Sequence, residues 1–188
     1  MIAIRHEKNA DAAAREALLD AAYGPVRFTK PSARLRAGRA PARGLSFVAV
    51  EGGRIVGTVR LWDVAAGPDH PALLLGPLVV DPAVRNHGVG TALMRRALDE
   101  ARWRGHRAVL LVGDPVYYER FGFSAARTGG LWLSGLADRS RLLGCELVPG
   151  ALDGARGTIH APKTPARRRL VAPIPALPNR ALLTPRAA

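Results

Sequence analysis

The chain has 188 residues, and its 28 lysines and arginines against 15 aspartates and glutamates give a formal net charge of +13. This length suffices for one globular domain with a full hydrophobic core but not for two ordinary ones. Although 48% of the residues are hydrophobic, no apolar run reaches the roughly eighteen residues of a membrane-spanning helix, and the polar start lacks the pattern of a secretory signal. We therefore expect a cytoplasmic protein with no membrane segment.

The N-terminal half predicts a strand, a helix and a hairpin. The alternation over residues 2–5 is typical of a short strand, and the alanine-rich residues 12–22 favour a helix that Gly24 and Pro25 end. Two β-rich runs follow, residues 46–50 and 55–62, on either side of a Gly-Gly pair. This arrangement indicates an antiparallel hairpin.

The middle of the chain predicts an α/β unit. Residues 72–80 form a nearly continuous apolar run, which is typical of a buried central strand. Pro77 lacks a backbone donor and therefore indicates a bulge within that strand. Apolar residues recur at every fourth position over residues 91–104, which predicts an amphipathic helix, and residues 108–112 predict a second buried strand. Strand, turn, helix and strand in this order are typical of α/β proteins.

The remainder of the chain predicts fewer elements. Residues 117–120 favour a short helical turn, and strands are expected to begin at Phe121 and at Glu146. Residues 162–188 contain six basic residues, six prolines and no acidic residue, a composition that disfavours helices and sheets. We expect one folded domain over residues 1–161 and a mobile, basic, proline-rich tail over residues 162–188.

A glycine turn joins the buried strand to the amphipathic helix. Gly88 and Gly90 permit backbone conformations that other residues resist, and the start of the helix directs free N–H groups outward, which suits a phosphate. An ordinary tight turn would use the same glycines. The sequence lacks the lysine of a Walker loop, and Leu93 stands where a dinucleotide-binding turn needs its third glycine. The five histidines and the single cysteine show no metal-ligand spacing, so no metal is expected.

The spacing of Arg85, Gly88 and Gly90 resembles the Gln/Arg-x-x-Gly-x-Gly/Ala motif of the GNAT superfamily of N-acetyltransferases. This resemblance implies that the turn holds the pyrophosphate of acetyl-CoA through backbone N–H groups, while the preceding strand pairs with the pantetheine arm. It also implies a bulge that splays this strand from its parallel neighbour, a bulge that Pro77 would cause. The implied cofactor-binding residues are Leu78, Val79, Val80, Arg85, Asn86, His87, Gly88, Val89 and Gly90.

Residues 117–123, Tyr-Tyr-Glu-Arg-Phe-Gly-Phe, resemble a second GNAT motif, Tyr-Glu-Lys-x-Gly-Phe. Alignment on Gly122 and Phe123 places Tyr118 at the motif's tyrosine, which the resemblance implies as the catalytic donor of a proton to the departing thiolate. The alternative role of Tyr118 is that of a packed aromatic side chain. Residues 75–126 as a whole are similar to a bacterial subgroup of N-acetyltransferases with a Gly-Asp-Pro-x-Tyr-Tyr-x-Arg-Phe-Gly-Phe segment.

The resemblance implies a GNAT fold of the layered α/β class. This fold has a central mixed sheet of about six to seven strands, helices on both faces and a splay between the fourth and fifth strands. The implied reaction is acetyl transfer from acetyl-CoA by direct attack of an amine in a ternary complex, with a backbone N–H stabilising the oxyanion. Asp63, His70 and Asp114 are candidates for the general base.

Several properties stay open at this stage. The acceptor is either a small molecule or a protein amine, and the relatives' pairing through C-terminal strands implies a homodimer. The basic residues 27–43 suit an anionic acceptor or form a solvated loop. An acyl-CoA sensor without turnover is an alternative function. A nucleic-acid-binding protein acting through the tail is another, although the tail holds no aromatic residue for base stacking.

Overall fold

The computed structural model describes residues 1–162. The tail predicted over residues 162–188 falls outside the described residues except for Pro162. Within residues 1–162, no helix combines the length and the hydropathy that a bilayer crossing requires.

Eight strands and four α-helices make up the described part of the chain. The strands are β1 (Ala3–His6), β2 (Ser46–Glu51), β3 (Arg54–Ala66), β4 (Pro71–Val80), β5 (Ala108–Val112), β6 (Leu131–Trp132), β7 (Leu142–Glu146) and β8 (Gly157–His160). The helices are α1 (Ala12–Tyr23), α2 (Pro31–Arg34), α3 (Val89–Trp103) and α4 (Pro115–Tyr118). Single 3-10 turns join several of these elements, among them Pro82–Val84 and Glu119–Phe121.

The strands form one mixed sheet in the order β1-β2-β3-β4-β5-β7. Neighbouring strands along this path are antiparallel except β4 and β5, which are parallel. β8 pairs with the end of β3 and, in parallel, with the two-residue β6. The predicted mixed sheet is confirmed, with a strand number above the expected six to seven because β6 and β8 are short pairings that give little sequence signal.

Both faces of the sheet are covered by apolar side chains. On one face, Leu93 and Met94 of α3 are fully buried in a cluster that includes Phe47 and Leu61. The opposite face presents Trp62 and other strand residues to Leu35, which follows α2, and to the C-terminal segments. Since successive strand residues point to opposite faces, the two clusters lie on opposite sides of the sheet, with α3 on one side and Leu35 with the C-terminal segments on the other.

β4 diverges from β5 after only a short parallel pairing. The two strands pair at Leu73 with Val109 and at Leu74 with Leu110, whereas β4 continues to Val80 along β3. The register of β3 and β4 shifts over the part of β4 that contains Gly76 and Pro77. The predicted splay and the predicted bulge are therefore both confirmed, and the end of β4 is open on the side that faces away from β3.

Two strand predictions in the C-terminal part were wrong. No strand begins at Phe121, because the chain forms a 3-10 turn there and then takes a left-handed conformation at Gly122, leaving one isolated bridge between Ser124 and Gly144. At Glu146 a strand ends instead of beginning, because its carboxylate accepts the Leu152 N–H at 2.8 Å and holds the turn that follows β7.

Candidate functional site

A cleft of about 300 Å³ opens where β4 leaves β5. It is lined by the end of α1, the end of β4, the start of α3 and one residue of α4. Six of the nine cofactor-binding residues predicted from the sequence line it, and Asn86, His87 and Gly88 belong to the turn beside it. The lining residues are Ala22, Tyr23, Leu78, Val79, Val80, Val84, Arg85, Val89, Gly90 and Tyr117.

The open edge of β4 presents backbone groups to this cleft. The Asp81 N–H donates to the Val56 carbonyl of β3 at 2.8 Å. Because backbone groups alternate sides along a strand, those of Val80 and Leu78 face the splay. The Tyr23 hydroxyl at the end of α1 confirms this direction for Leu78, since it donates to the Leu78 carbonyl at 2.6 Å. An extended ligand could therefore pair with β4 as a further strand does.

The turn before α3 has the conformation that an anion site requires. Asn86 and Gly88 have φ of 66° and 74°, a left-handed conformation that favours glycine. The first hydrogen bond within α3 runs from the Ala92 N–H to the Gly88 carbonyl at 2.9 Å. The N–H groups of Val89, Gly90 and Thr91 therefore have no acceptor within the helix, and the positive end of the helix dipole lies at this point.

The two glycines of the turn are needed for different reasons. A Cβ atom on Gly88 would meet no atom within 4 Å, so the positive φ and not the space restricts this position. A Cβ atom on Gly90 would lie 2.9 Å from the Tyr117 hydroxyl oxygen. Gly90 thus allows Tyr117 of α4 to lie against the start of α3, at the wall of the cleft.

Tyr118 lies beside the cleft and not in its wall. Its ring packs against Gly113 and lies edge-on to Tyr117 and Phe123, with centroid distances of 4.9 and 6.0 Å. Burial raises the pKa of the Tyr118 hydroxyl above its ordinary value, so this phenol stays protonated at neutral pH. Sequence reasoning selected Tyr118 and missed both Tyr117, which lines the cleft, and Tyr23.

The three candidates for a general base are dispersed. His70 bonds to the Asp153 carbonyl at 3.0 Å and lies about 26 Å from Leu78 along β4. Asp63 is opposite Leu73 in the register, outside the cleft. Asp114 is exposed and caps α4 by accepting the Val116 N–H at 3.1 Å. No Asp, Glu or His from residues 1–162 lines the cleft, and no group of three potential metal ligands occurs in that part of the chain.

The model of the acetyltransferase (GNAT) domain family matches residues 42–125, which include β2 to β5 and the glycine turn. The crystal structure of YhbS from Escherichia coli, a GNAT family N-acetyltransferase in complex with CoA, is 30% identical, with a TM-score of 0.74 over 85% of this chain and 89% of that one. The chain belongs to the GNAT superfamily.

Two further relatives give the extent of the similarity. A GNAT family acetyltransferase from Brucella melitensis, solved in complex with acetyl-CoA, is 36% identical, with a TM-score of 0.58 over 67% of this chain and 84% of that one. In sequence, the uncharacterized N-acetyltransferase YhbS of Escherichia coli K12 is 31% identical over 109 residues, which are 57% of this chain. That match spans 65% of the relative's own length.

Since the chain belongs to the GNAT superfamily, acyl-CoA is the ligand whose fit to the cleft is considered first. The residues present fit an acyl-CoA in three respects: an open strand edge at β4, free N–H groups at the start of α3, and open space at Gly88 of the turn. A pyrophosphate needs the N–H groups, and an extended amide-containing arm needs the strand edge.

Proposed function

We propose that this protein transfers an acetyl group from acetyl-CoA to an amine by direct attack in a ternary complex. The observation that carries the proposal is the meeting of two features in one cleft: the edge of β4 that leaves β5, and the glycine turn at the start of α3. Either feature alone occurs in many folds. Together they supply one surface for an extended amide chain and one for a diphosphate.

The glycine turn and the end of β4 are proposed to bind different parts of acetyl-CoA. The N–H groups of Val89, Gly90 and Thr91, with the dipole of the fifteen-residue α3, are suited to the diphosphate. The Arg85 side chain adds a positive charge at the same end of the cleft. The splay-facing backbone of Leu78 and Val80 is suited to the pantetheine amides, and a β4 N–H is available to stabilise a carbonyl oxyanion.

Acetyl transfer requires the amine to lose one proton and the departing sulfur to gain one. The amine nitrogen bonds to the thioester carbonyl carbon, the carbon–sulfur bond breaks, the nitrogen loses a proton and the sulfur gains one. Holding both reactants in one cleft removes much of the entropic barrier. Tyr118 is the proposed proton donor to sulfur, since its hydroxyl makes no hydrogen bond within residues 1–162 and burial keeps it protonated.

The experiment that tests this proposal is a calorimetric titration with acetyl-CoA, free CoA and NAD. We expect saturable binding of the two CoA ligands and none of NAD. The variant Gly88→Glu should abolish this binding, because it places a carboxylate where the phosphates are expected. Acetylation of amines, followed through release of the CoA thiol, then separates an enzyme from an acyl-CoA sensor, which would bind without turnover.

Gly52→Glu is a matched control for the strain of substituting a glycine. Gly52 also has a positive φ, of 54°, and a Cβ atom there would likewise meet nothing within 4 Å. It lies in the hairpin between β2 and β3, away from the cleft. Gly52→Glu should retain acetyl-CoA affinity. Equal affinity of Gly88→Glu and the wild type would refute the assignment of the turn.

A further inference from the structure

Three cations lie near Tyr23 and Tyr118, beside the cleft. The Lys30 ammonium is 4.1 Å from the centroid of the Tyr23 ring, which also lines the cleft. The Arg36 guanidinium lies 3.9 Å from where a Cβ atom on Gly76 would be. Arg141 donates to the Gly113 carbonyl, just after β5, at 3.4 Å. We call Lys30, Arg36 and Arg141 the basic cluster; it borders the splay from both the β4 and the β5 side.

The basic cluster forms no ion pair with a carboxylate of the described residues. None of its three members forms an ion pair with any Asp or Glu of residues 1–162, and the remaining residues contain no Asp or Glu side chain at all. The nearby arginines on α1 and the following turn differ in this respect, since Arg15 and Arg27 are both paired with acidic residues of the same region. The cluster therefore keeps a net positive charge, although the Asp138 carboxylate near Arg141 offsets part of it.

The charges of the cluster act on one another. Burial, followed by the charges of Arg36 and Arg141, lowers the pKa of Lys30, and burial lowers the pKa of the half-buried Arg36. Like charges held together cost free energy unless an anion joins them. An arrangement of this kind at the mouth of a cleft is consequently suited to a bound anion.

The basic cluster is distinct from the proposed phosphate turn. Gly76, beside Arg36, precedes Val80 by four residues, which corresponds to at most about 13 Å because the bulge of β4 lies between them. The turn at residues 85–90 lies beyond Val80. Anions bound at these two places would therefore belong to different parts of the cleft, one at the diphosphate end and one on the acceptor side of the thioester.

We propose that the acceptor amine carries its own anionic group, a carboxylate or a phosphate, and that the basic cluster binds this group. This inference rests on the acetyl transfer proposed above. Gly76 lies two residues from Leu78, at most about 7 Å along a strand, so an amine placed at the open edge of β4 would have its anion within about 8 Å. Small amino acids and aminoalkyl phosphates fall within this span.

The cluster also affects the protonation of the acceptor. Nearby positive charges disfavour an ammonium and so lower the pKa of an amine bound beside them. The cleft lining contains no Asp, Glu or His from the described residues. The basic cluster therefore increases the fraction of neutral, nucleophilic amine. This effect matters because no side-chain base from the described residues lines the cleft to remove the proton.

The test uses the full-length protein, acetyl-CoA and amines of similar skeleton that differ in charge. The anionic members are glycine, β-alanine, γ-aminobutyrate and 2-aminoethyl phosphate; the neutral members are glycinamide, β-alaninamide and 2-aminoethanol; the cationic member is 1,3-diaminopropane. We expect kcat/KM for the best anionic amine to exceed that of its neutral counterpart by about tenfold or more, as one charge-assisted hydrogen bond allows. Carboxylates and the phosphate are compared directly to identify which anion is preferred.

Arg36→Gln and Arg141→Gln test the cluster itself, and Arg95→Gln is the matched control. Arg95 is an exposed arginine of α3 without an ion pair within residues 1–162, so the control removes the same charge elsewhere. We expect the anionic-to-neutral ratio of kcat/KM to fall about tenfold in Arg36→Gln and less in Arg141→Gln, which is more exposed. The ratio should be unchanged in Arg95→Gln, and Arg36→Lys should restore part of it.

The outcomes separate this inference from the proposed function. A protein that acetylates neutral or cationic amines as well as anionic ones retains the proposed function and overturns the inference. Binding of acetyl-CoA without acetylation of any anionic amine overturns the inference too. Absence of acetyl-CoA binding in the titration overturns both, and calorimetry identifies that case before any amine is tried.

Discussion

Tyr117 and Tyr118 are adjacent in sequence and differ in their surroundings. Tyr117 lines the cleft, with its hydroxyl against the start of α3 and the Arg120 guanidinium 4.9 Å from its ring centroid. Tyr118 packs on Gly113 next to the hydrophobic core, where burial raises the pKa of its hydroxyl. One residue therefore contacts the space proposed for acetyl-CoA, while the other holds a protonated phenol beside it.

These positions predict that removing the hydroxyl of each tyrosine affects a different constant. Tyr118→Phe should leave the acetyl-CoA Kd unchanged and lower kcat by about 100-fold, because it removes the proposed donor to the thiolate. Tyr117→Phe should weaken acetyl-CoA binding a few-fold, with a smaller effect on kcat, because it removes a hydroxyl from the cleft wall. Calorimetry and steady-state rates measure the two constants. A loss of kcat confined to Tyr117→Phe would transfer the role to that residue.

The pH profile gives an independent check on Tyr118. Its pKa lies above the ordinary value of a tyrosine, about 10, so the phenol remains a proton donor throughout the neutral and mildly alkaline range. The wild-type rate should therefore show no decline from Tyr118 ionisation below about pH 10. A descending limb present in the wild type and absent from Tyr118→Phe would contradict this environment.

At the scale of elements, one carboxylate joins β1 to the start of α1. Asp11 accepts two hydrogen bonds from Arg5 of β1, at 2.6 and 2.9 Å, and a third from the Lys8 N–H at 2.7 Å. The hydrogen bonds from Arg5, followed by that from the Lys8 backbone, hold the pKa of Asp11 far below its usual range. These contacts fix the direction in which α1 leaves the sheet, and α1 ends at Tyr23 in the cleft.

Asp11→Asn should therefore destabilise the fold in a pH-dependent manner. At pH 7 we expect a loss of about 1–2 kcal/mol in the free energy of unfolding, discounted for the partly exposed Arg5. A depressed folded-state pKa stabilises the protein above the unfolded-state value, about 3.9, and this contribution is lost as the pH falls below it. Urea denaturation at about pH 7 and pH 3.5 should show a smaller difference between wild type and variant at the lower pH.

Asp99→Asn is the control for this experiment. Asp99 is an exposed residue of α3 whose contact with Arg102 is a long 3.4 Å, and such surface pairs contribute little. Its substitution should change stability only slightly at both pH values. A difference for Asp11→Asn that is constant from neutral to acid pH would show that the lost contacts do not depend on the charge of Asp11.

The elements that the sequence predicts well are those with a clear period. The fourfold spacing of apolar residues identifies α3, and the unbroken apolar run with Pro77 identifies both β4 and its bulge. β6 and β8 were missed because strands of two and four residues are too short to show alternation. The strand expected at Phe121 failed since an aromatic pair around a glycine also fits a turn.

The candidate site likewise has one part that the sequence predicts and another that only the fold shows. The glycine turn is a local motif, so its residues could be selected from the resemblance of Arg85, Gly88 and Gly90 to the GNAT motif. The contact between Tyr23 and the Leu78 carbonyl joins segments far apart in the sequence, and neither residue carries a local signal for it. The basic residues 27–43 were recognised as a segment, but only the fold shows that Arg36 approaches Gly76 and that Arg141 approaches Gly113.

At the scale of the whole molecule, charge is unevenly distributed along the chain. Six of the thirteen net positive charges belong to residues 162–188, which hold no acidic residue. The described domain already contains the sheet, both core clusters and the cleft. The C-terminal residues either bind nucleic acid or are not needed for the function of the domain, and one truncation distinguishes these alternatives.

Removal of residues 162–188 should leave the acetyltransferase domain intact. We expect the truncated protein to bind acetyl-CoA with a Kd within about twofold of the full chain, because each group proposed to contact the ligand lies before residue 162. If the C-terminal residues bind nucleic acid, the full chain should show an affinity that falls steeply with salt and that the truncation abolishes. A large loss of acetyl-CoA affinity on truncation would instead place part of the cofactor site in residues 162–188 and extend the functional domain beyond residue 161.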